Sequence, residues 1–228
     1  MTRPLIAIRP EPGARETVAR AAEMGLAMES WPLAEVRPLE WQAPDAVKFN
    51  GLLLGSANAV HHARGQLRQL AGLPVYAVGE HTAEVARAAG LQVVRTGPGS
   101  LQPLLDLLAG QRLTLLRLTG EKHVTVEPPE GIGITTVSIY TVEHLPVPAA
   151  LAEWLEGGAT VLLHSGEAAA HFAAECGRLS LPRDRIAVAA LAPRVAAAAG
   201  EGWQAIAVAE VPQDEALLRT ASTLAKRH

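Results

Sequence analysis

Two short apolar runs, Leu52-Leu53-Leu54-Gly55-Ser56 and Val161-Leu162-Leu163-His164-Ser165, each end on a serine and recur roughly 110 residues apart. Each is too short for a helix and apolar without alternation. Each leads at once into an Ala-containing stretch, as a strand buried on both faces does when it turns into a covering helix. The following runs repeat at nearly the same distance: Val75 to Gly79, and Val188 to Ala192, both succeeded by Ala-rich segments. A duplicated strand–turn–helix unit predicts two similar domains rather than one sheet.

The rest of the chain keeps this rhythm. Leu5 to Ile8 reads as a strand ended by Arg9-Pro10, with a helix from about Ala14 to Met24 stopped by Gly25. Val93-Val94 and Leu113 to Leu118 read as strands around a helix from about Leu101 to Leu108, and Thr135 to Val142 as a longer, half-exposed strand. Ile186 to Ala189 and Ala205 to Val208 complete the series. The fold class is therefore α/β, with two similar doubly wound parallel-sheet (flavodoxin-like) domains. Leu5 to Ile8 has no full partner set in the first 35 residues and would complete a sheet by pairing with the C-terminal half. The first domain is accordingly expected to be discontinuous, 1–34 plus 147–228, with 38–142 inserted and a two-stranded linker at about 35–37 and 143–146. Pro32, Pro38, Pro44, Pro146 and Pro148 mark these crossings.

Composition narrows the function classes. With 49% hydrophobic and 19% charged residues the chain is globular, and a net charge of −3 gives no field to attract nucleic acid or anionic lipid. A single cysteine, Cys176, excludes an intrachain disulfide and reads as a buried apolar group on an Ala-rich helix. The eight histidines lack metal-ligand spacing and are read as surface residues, so no metal is expected. The N-terminus lacks a signal-peptide run and no segment is long and apolar enough to span a membrane, which predicts a cytoplasmic protein.

In open parallel sheets, ligands bind beyond the carboxyl ends of the strands, where helix N-termini present free N–H groups. The turns placed there hold Arg9, Ser56, Ala57, Asn58, Gly79, Thr82, Thr119, Gly120, Lys122, Ser165, Gly166 and Arg194. Hydroxyls, glycines and cations of this kind bind carboxylate or phosphate. The phosphate-loop patterns of dinucleotide and nucleoside triphosphate sites are absent. Ser56 and Ser165 serve equally well as helix N-caps. Glu80 and Glu167 complement helix dipoles, Glu84 and Arg87 form a solvated face, and the four tryptophans pack in cores or linkers.

At these turns the chain resembles the uroporphyrinogen-III synthases. Leu52 to Val60 is similar to their apolar strand followed by Ser-Ala-Asn-Ala-Val. Val75 to Ala83, with Gly90-Leu91 beyond, is similar to their Val-Gly-x-x-Thr-Ala … Ala-Gly-Leu element. Leu115 to Glu121 resembles their Leu-Arg-x-x-Gly-Glu turn, and Val137 to Val142 their linker strand with its tyrosine. The second half departs from the pattern: Ala192, Arg194 and Val195 stand where the family carries glycine and two hydroxyls.

The resemblance implies a cofactor-free hydro-lyase of tetrapyrrole (haem) biosynthesis. It implies hydroxymethylbilane as substrate, bound in an interdomain cleft and cyclised to uroporphyrinogen III with ring D inverted and water lost. It further implies a monomer, a transient handover from hydroxymethylbilane synthase, and Tyr140 as the catalytic group beside the leaving hydroxyl. The alternative is a non-catalytic two-lobed binding protein, or a degenerate synthase homologue, for an anionic small molecule.

Overall fold

The computed structural model describes residues 3–226. From the N-terminus, β1 (Leu5–Ala7) turns into α1 (Gly13–Glu23), and β2 (Met28–Ser30) is followed by the crossing strand β3 (Ala34–Pro38). The middle of the chain forms β4 (Gly51–Leu54), α2 (Ala57–His62), β5 (Val75–Ala77) and α3 (Glu80–Ala88). It continues through β6 (Val93–Thr96), α4 (Leu101–Asp106), β7 (Leu113–Gly120) and the long β8 (Ile132–His144). The last third adds α5 (Ala149–Glu156), β9 (Thr160–Leu163), α6 (Gly166–Arg178) and β10 (Ala187–Ala190). It ends with α7 (Pro193–Ala199), β11 (Ala205–Val208) and α8 (Asp214–Lys226). Val36–Val142 forms one compact unit, the inserted unit. The segments before and after it form the other, the discontinuous unit.

The discontinuous unit holds a five-stranded sheet of order β11-β10-β9-β1-β2, every neighbouring pair parallel. In the unit's own chain order this is 2-1-3-4-5, the flavodoxin-like winding. β1 pairs β9 with Leu5 opposite Thr160 and Ala7 opposite Leu162, so the N-terminal strand does find its partner in the C-terminal half. The inserted unit's sheet runs β3-β8-β7-β4-β5-β6. Without β3, its order matches the other sheet strand for strand when β4, β5, β6, β7 and β8 are laid on β9, β10, β11, β1 and β2. The two units are thus circular permutations of one winding, which is why the sequence repeat is visible only from β4 and β9 onward.

Strand registers turn this into residue equivalences. Leu54 faces Ala77 and Leu118 in one sheet, while Leu163 faces Ala190 in the other and Leu162 faces Ala7. Gly55 therefore corresponds to His164, Ser56 to Ser165, Gly79 to Ala192, Thr82 to Val195 and Thr119 to Arg9.

Both sheets bury both faces, so their central strands are mostly apolar, with Arg117 on β7 and Thr160 on β9 as buried exceptions. In the inserted unit, Leu52, Leu54, Val75 and Leu116 pack under α2 and α3, while Leu53, Tyr76 and Leu115 pack under α4. In the discontinuous unit, Val161, Leu163 and Val188 pack with Phe172 and Cys176 of α6, while Leu162 and Ala189 pack with Leu217 and Leu218 of α8. Cys176 is buried, and that burial pushes its thiol up to about 12.

Three features depart from expectation. β2 has no apolar run to announce it; it is an edge strand of three residues, Met-Glu-Ser. β7 and β8 are parallel neighbours joined by residues 121–131 with no helix between them. That return loop is fastened to α4 instead: Gln102 Nε2 donates to the Glu127 carbonyl and Gln102 Oε1 accepts from the Glu127 amide, both at 2.8 Å. Trp154, read as a packing residue, is 39% exposed, whereas Trp203 is buried in a stack on Phe172.

Candidate functional site

In the inserted unit, the turns after β4, β5 and β7 bring the sequence-predicted residues to one end of the sheet. Ser56 has extended backbone, and its Oγ accepts from the Asn58 amide at 3.2 Å. It is an N-cap, with Ala57 buried behind it. Gly79 precedes α3 in the same extended conformation, and Thr82 in the first turn is buried.

β7 runs two residues further than the apolar pattern suggested, through Thr119 and Gly120, and its pairing with β8 slips between them, so that Gly120 faces Tyr140. The slip ties two separate motifs into one object. A Cβ on Gly120 would lie 2.7 Å from Cε2 and 3.1 Å from Cζ of Tyr140, so the ring occupies the space that any other residue would fill. The tyrosine is 8% exposed, and its ring tilts against the imidazole of His62, with centroids 5.9 Å apart. The backbone holds it there: the Glu121 amide donates to the Tyr140 carbonyl at 2.8 Å, and Thr141 Oγ1 donates to Glu121 Oε2 at 3.0 Å. Lys122 in the same turn is exposed.

Beneath the turn, Arg117 is buried, with Nη1 donating to the Val124 carbonyl at 2.9 Å and Nε without a hydrogen-bond partner. Burial lowers its pKa.

The discontinuous unit presents a different surface. Ser165 Oγ caps α6 by accepting from the Ala168 amide at 3.1 Å, and Gly166 opens that helix. Arg194 is exposed at the second position of α7, after Pro193. Arg9 does not project freely from its turn. Its Nη1 donates to Thr17 Oγ1 at 3.3 Å and stands 3.8 Å from Asp214 Oδ1. His164 Nε2 bonds the same Asp214 oxygen at 2.8 Å. Burial takes His164 below the usual histidine range, against the hydrogen bond to Asp214 that raises it, and the ring is neutral at neutral pH. Burial alone would raise Asp214; the hydrogen bonds from His164 and Thr17 and the charge of Arg9 outweigh it and leave the carboxyl at about 2.

The reading of every histidine as a surface residue fails here, since the His164 side chain is 9% exposed. Sequence reasoning missed His164, Asp214, Thr17 and Arg20, although the serine repeat already set His164 opposite Gly55. Among the described residues, no group of three or more His, Cys, Asp or Glu could hold a metal ion, and no helix is long and apolar enough to cross a membrane.

Comparison with known proteins agrees with this architecture. Uroporphyrinogen-III synthetase from Helicobacter pylori shares the fold at a TM-score of 0.65 and 17% identity, covering 97% of this chain and 99% of that one. A mutant uroporphyrinogen III synthase from the extremely thermophilic bacterium Thermus thermophilus does so at a TM-score of 0.55 and 17% identity, covering 98% and 100%. No curated protein matches the sequence. The family model for uroporphyrinogen-III synthase HemD matches residues 15–219, a span that takes in the inserted sheet, every strand of the other sheet but β1, the Gly120 turn and the tyrosine strand. The chain belongs to the uroporphyrinogen-III synthase HemD family.

Proposed function

We propose that this member of the family is an active uroporphyrinogen-III synthase, a hydro-lyase that closes hydroxymethylbilane to uroporphyrinogen III with inversion of ring D. The observation that carries the reading is the seat of Tyr140 over Gly120 at the ligand end of the inserted sheet, in a chain matched by the family model over most of its length.

The chemistry asks little of the protein beyond placement. The lone pair of a pyrrole nitrogen expels the terminal hydroxyl, the C–O bond breaks, and the hydroxide leaves as water once it takes a proton. The electrophilic azafulvene is then attacked by the substituted carbon of ring D, giving a spiro intermediate that reopens and closes in the inverted sense. The proton lost from the ring at closure balances the one taken up by the leaving group. Holding such partners in register is worth roughly 7–11 kcal/mol in well-aligned intramolecular reactions. In this reading, Ser56, Asn58, Gly79, Thr82, Thr119 and Lys122 bind carboxylates of the tetrapyrrole. Tyr140 gives the leaving hydroxyl its proton.

A second reading, a carboxylate-binding homologue without turnover, is favoured by one feature. Ala192 and Val195 stand in the discontinuous unit where Gly79 and Thr82 stand in the inserted one. Freshly generated hydroxymethylbilane separates the two: isomer III in excess of the spontaneous isomer I is the expected product, and isomer I alone under all conditions sinks the synthase reading. Tyr140→Phe is expected to slow turnover about 10²-fold, within the range of a positioned proton donor. A folded Phe variant with no activity at all would show that the tyrosine does more than donate a proton.

A further inference from the structure

The carboxyl end of the discontinuous sheet contains a buried ionic cluster that its sister unit does without. Asp214, the first residue of α8, accepts from Thr17 Oγ1 at 2.9 Å on Oδ2 and from His164 Nε2 at 2.8 Å on Oδ1. Arg9 Nη1 lies 3.8 Å from Oδ1, and Arg20 Nη1 lies 3.7 Å from Oδ2. The side chains of His164 and Asp214 are 9% and 10% exposed. Room for the Arg9 guanidinium comes from Gly13, where a Cβ would fall 2.5 Å from Arg9 Nε. Glu16, also on α1, adds a second negative charge that Arg9 feels.

The inserted unit closes the equivalent corner with carbon. Leu101, the first residue of α4 as Asp214 is of α8, covers Gly55, the counterpart of His164; a Cβ there would lie 3.2 Å from Leu101 Cδ1. The winding therefore needs no charge at this place. Burying a carboxylate and a guanidinium carries a desolvation cost that an apolar contact avoids, so the cluster calls for a reason other than folding.

Its composition supplies one. A strand end (Arg9), a helix (Thr17, Arg20) and a second strand end (His164) aim donors at both oxygens of one carboxylate, as sites for small organic acids do. His164 is fitted to an anion in particular. Its ring gives its one N–H to the carboxylate, while Nδ1 is buried with no hydrogen-bond partner. We infer that Arg9, Arg20, Thr17 and His164 form a carboxylate-binding site whose resident ligand is the side chain of Asp214, so that the site is filled from within. Arg9 is thereby withheld from any substrate, whatever the protein turns over. The inference does not rest on the synthase reading.

The test is chemical rescue, read without activity. Asp214→Ala removes the internal ligand and is expected to lower Tm by roughly 5–15 °C, as loss of one partner from a buried ionic cluster does. Millimolar formate should restore at least half of that loss with saturation, while chloride at equal ionic strength does not. Wild type and Leu101→Ala, which opens the equivalent corner without cations, should show no formate-specific response. If Asp214→Ala does not fold unaided, refolding yield is read against formate: a saturable rise supports the site. A formate effect no different from that of chloride, in Tm or in yield, overturns it, as does an Asp214→Ala variant as stable as wild type.

Discussion

The two units share one winding and put it to different uses. After β4 and β7, the inserted unit has Gly55, Ser56, Thr119 and Gly120, with Leu101 lying over Gly55 and the Tyr140 ring against Gly120. At the same places the discontinuous unit has His164, Ser165, Arg9 and Pro10, and the first and third of these are tied to Asp214. One corner is closed by apolar and aromatic groups, the other by a charged cluster. The fold determines where a site can sit; the residues at the turns determine whether there is one.

The sharpest way to break this comparison is at Gly120. Gly120→Ala puts a methyl group 2.7 Å from Tyr140 Cε2 and must push the ring away. If the inserted unit carries the chemistry, kcat falls on the order of 10²-fold, the cost of a misplaced catalytic group, while the far-ultraviolet circular dichroism of the folded protein is unchanged. Steady-state kinetics on hydroxymethylbilane measures it, and a kcat within twofold of wild type would remove Tyr140 from the site.

Arg9 gives the converse. Arg9→Ala should cost about 2 kcal/mol of stability, because it deprives a buried carboxylate of a charged partner, and leave KM within about twofold. Thr119→Ala, at the equivalent position, should do the reverse, raising KM about fivefold for a lost hydrogen bond of ~1 kcal/mol with little change in Tm. A KM that rises more for Arg9→Ala than for Thr119→Ala would invert the assignment of the two faces.

The division of labour was only half legible in the sequence. The apolar runs at Leu52–Leu54 and Val161–Leu163, the serines that end them and the Leu5 strand, which has no full partner set nearby, gave the two sheets and the discontinuity, because strands buried on both faces are mostly apolar. The three-residue β2 left no such mark, and neither did the helix-free return from β7 to β8, held by Gln102 rather than by a hydrophobic face. Tyr140 and Gly120 could each be read as separate motif residues; that one exists to seat the other depends on a one-residue slip in strand pairing, which no local pattern records. The Asp214 cluster was invisible for a similar reason, since its members lie at positions 9, 17, 20, 164 and 214 and meet only when β1 enters the sheet beside β9.

Acid should separate the units as well. Asp214 titrates at about 2 in the fold against 3.8 ordinarily. Glu175 on α6 is lowered to about 2 from 4.5, chiefly by its hydrogen bond from Arg178 and further by the Val147 amide. A carboxyl depressed by folding contributes stability that is complete above its ordinary value and is lost as pH falls through the folded one. For Asp214 the loss amounts to ~2 kcal/mol between about pH 4 and pH 2. His164 acts in the same direction but earlier. Its ring is held neutral by burial, so below about 6.5 the unfolded chain gains a proton that the folded ring refuses. All three groups lie in the discontinuous unit. Hydrogen exchange followed from pH 7 to pH 3 should therefore show amides of β1, β9 and α8 losing protection before those of β4, β5 and α3. Simultaneous loss in both units would show that they unfold as one cooperative block.

The smallest effect tests whether the discontinuous face is simply a weakened copy of the other. Val195 is fully buried at the position of Thr82, itself buried in the first turn of α3. Val195→Thr restores the hydroxyl that the inserted unit has, and its Oγ can bond a carbonyl one turn back, just before α7, so the stability cost should be no more than about 1 kcal/mol. Activity should change less than about twofold, because the hydroxyl alone does not rebuild the turn. Pro193 stands where Glu80 stands in α3 and has no N–H to offer an anion, and Ala192 replaces Gly79. Thr82→Val, in the inserted unit, should raise KM about fivefold by comparison, the equivalent of a ~1 kcal/mol contact. A Val195→Thr protein whose kcat/KM rose severalfold would mean that both faces grip the substrate, and that one missing hydroxyl, rather than an occupied corner at Asp214, is what sets them apart.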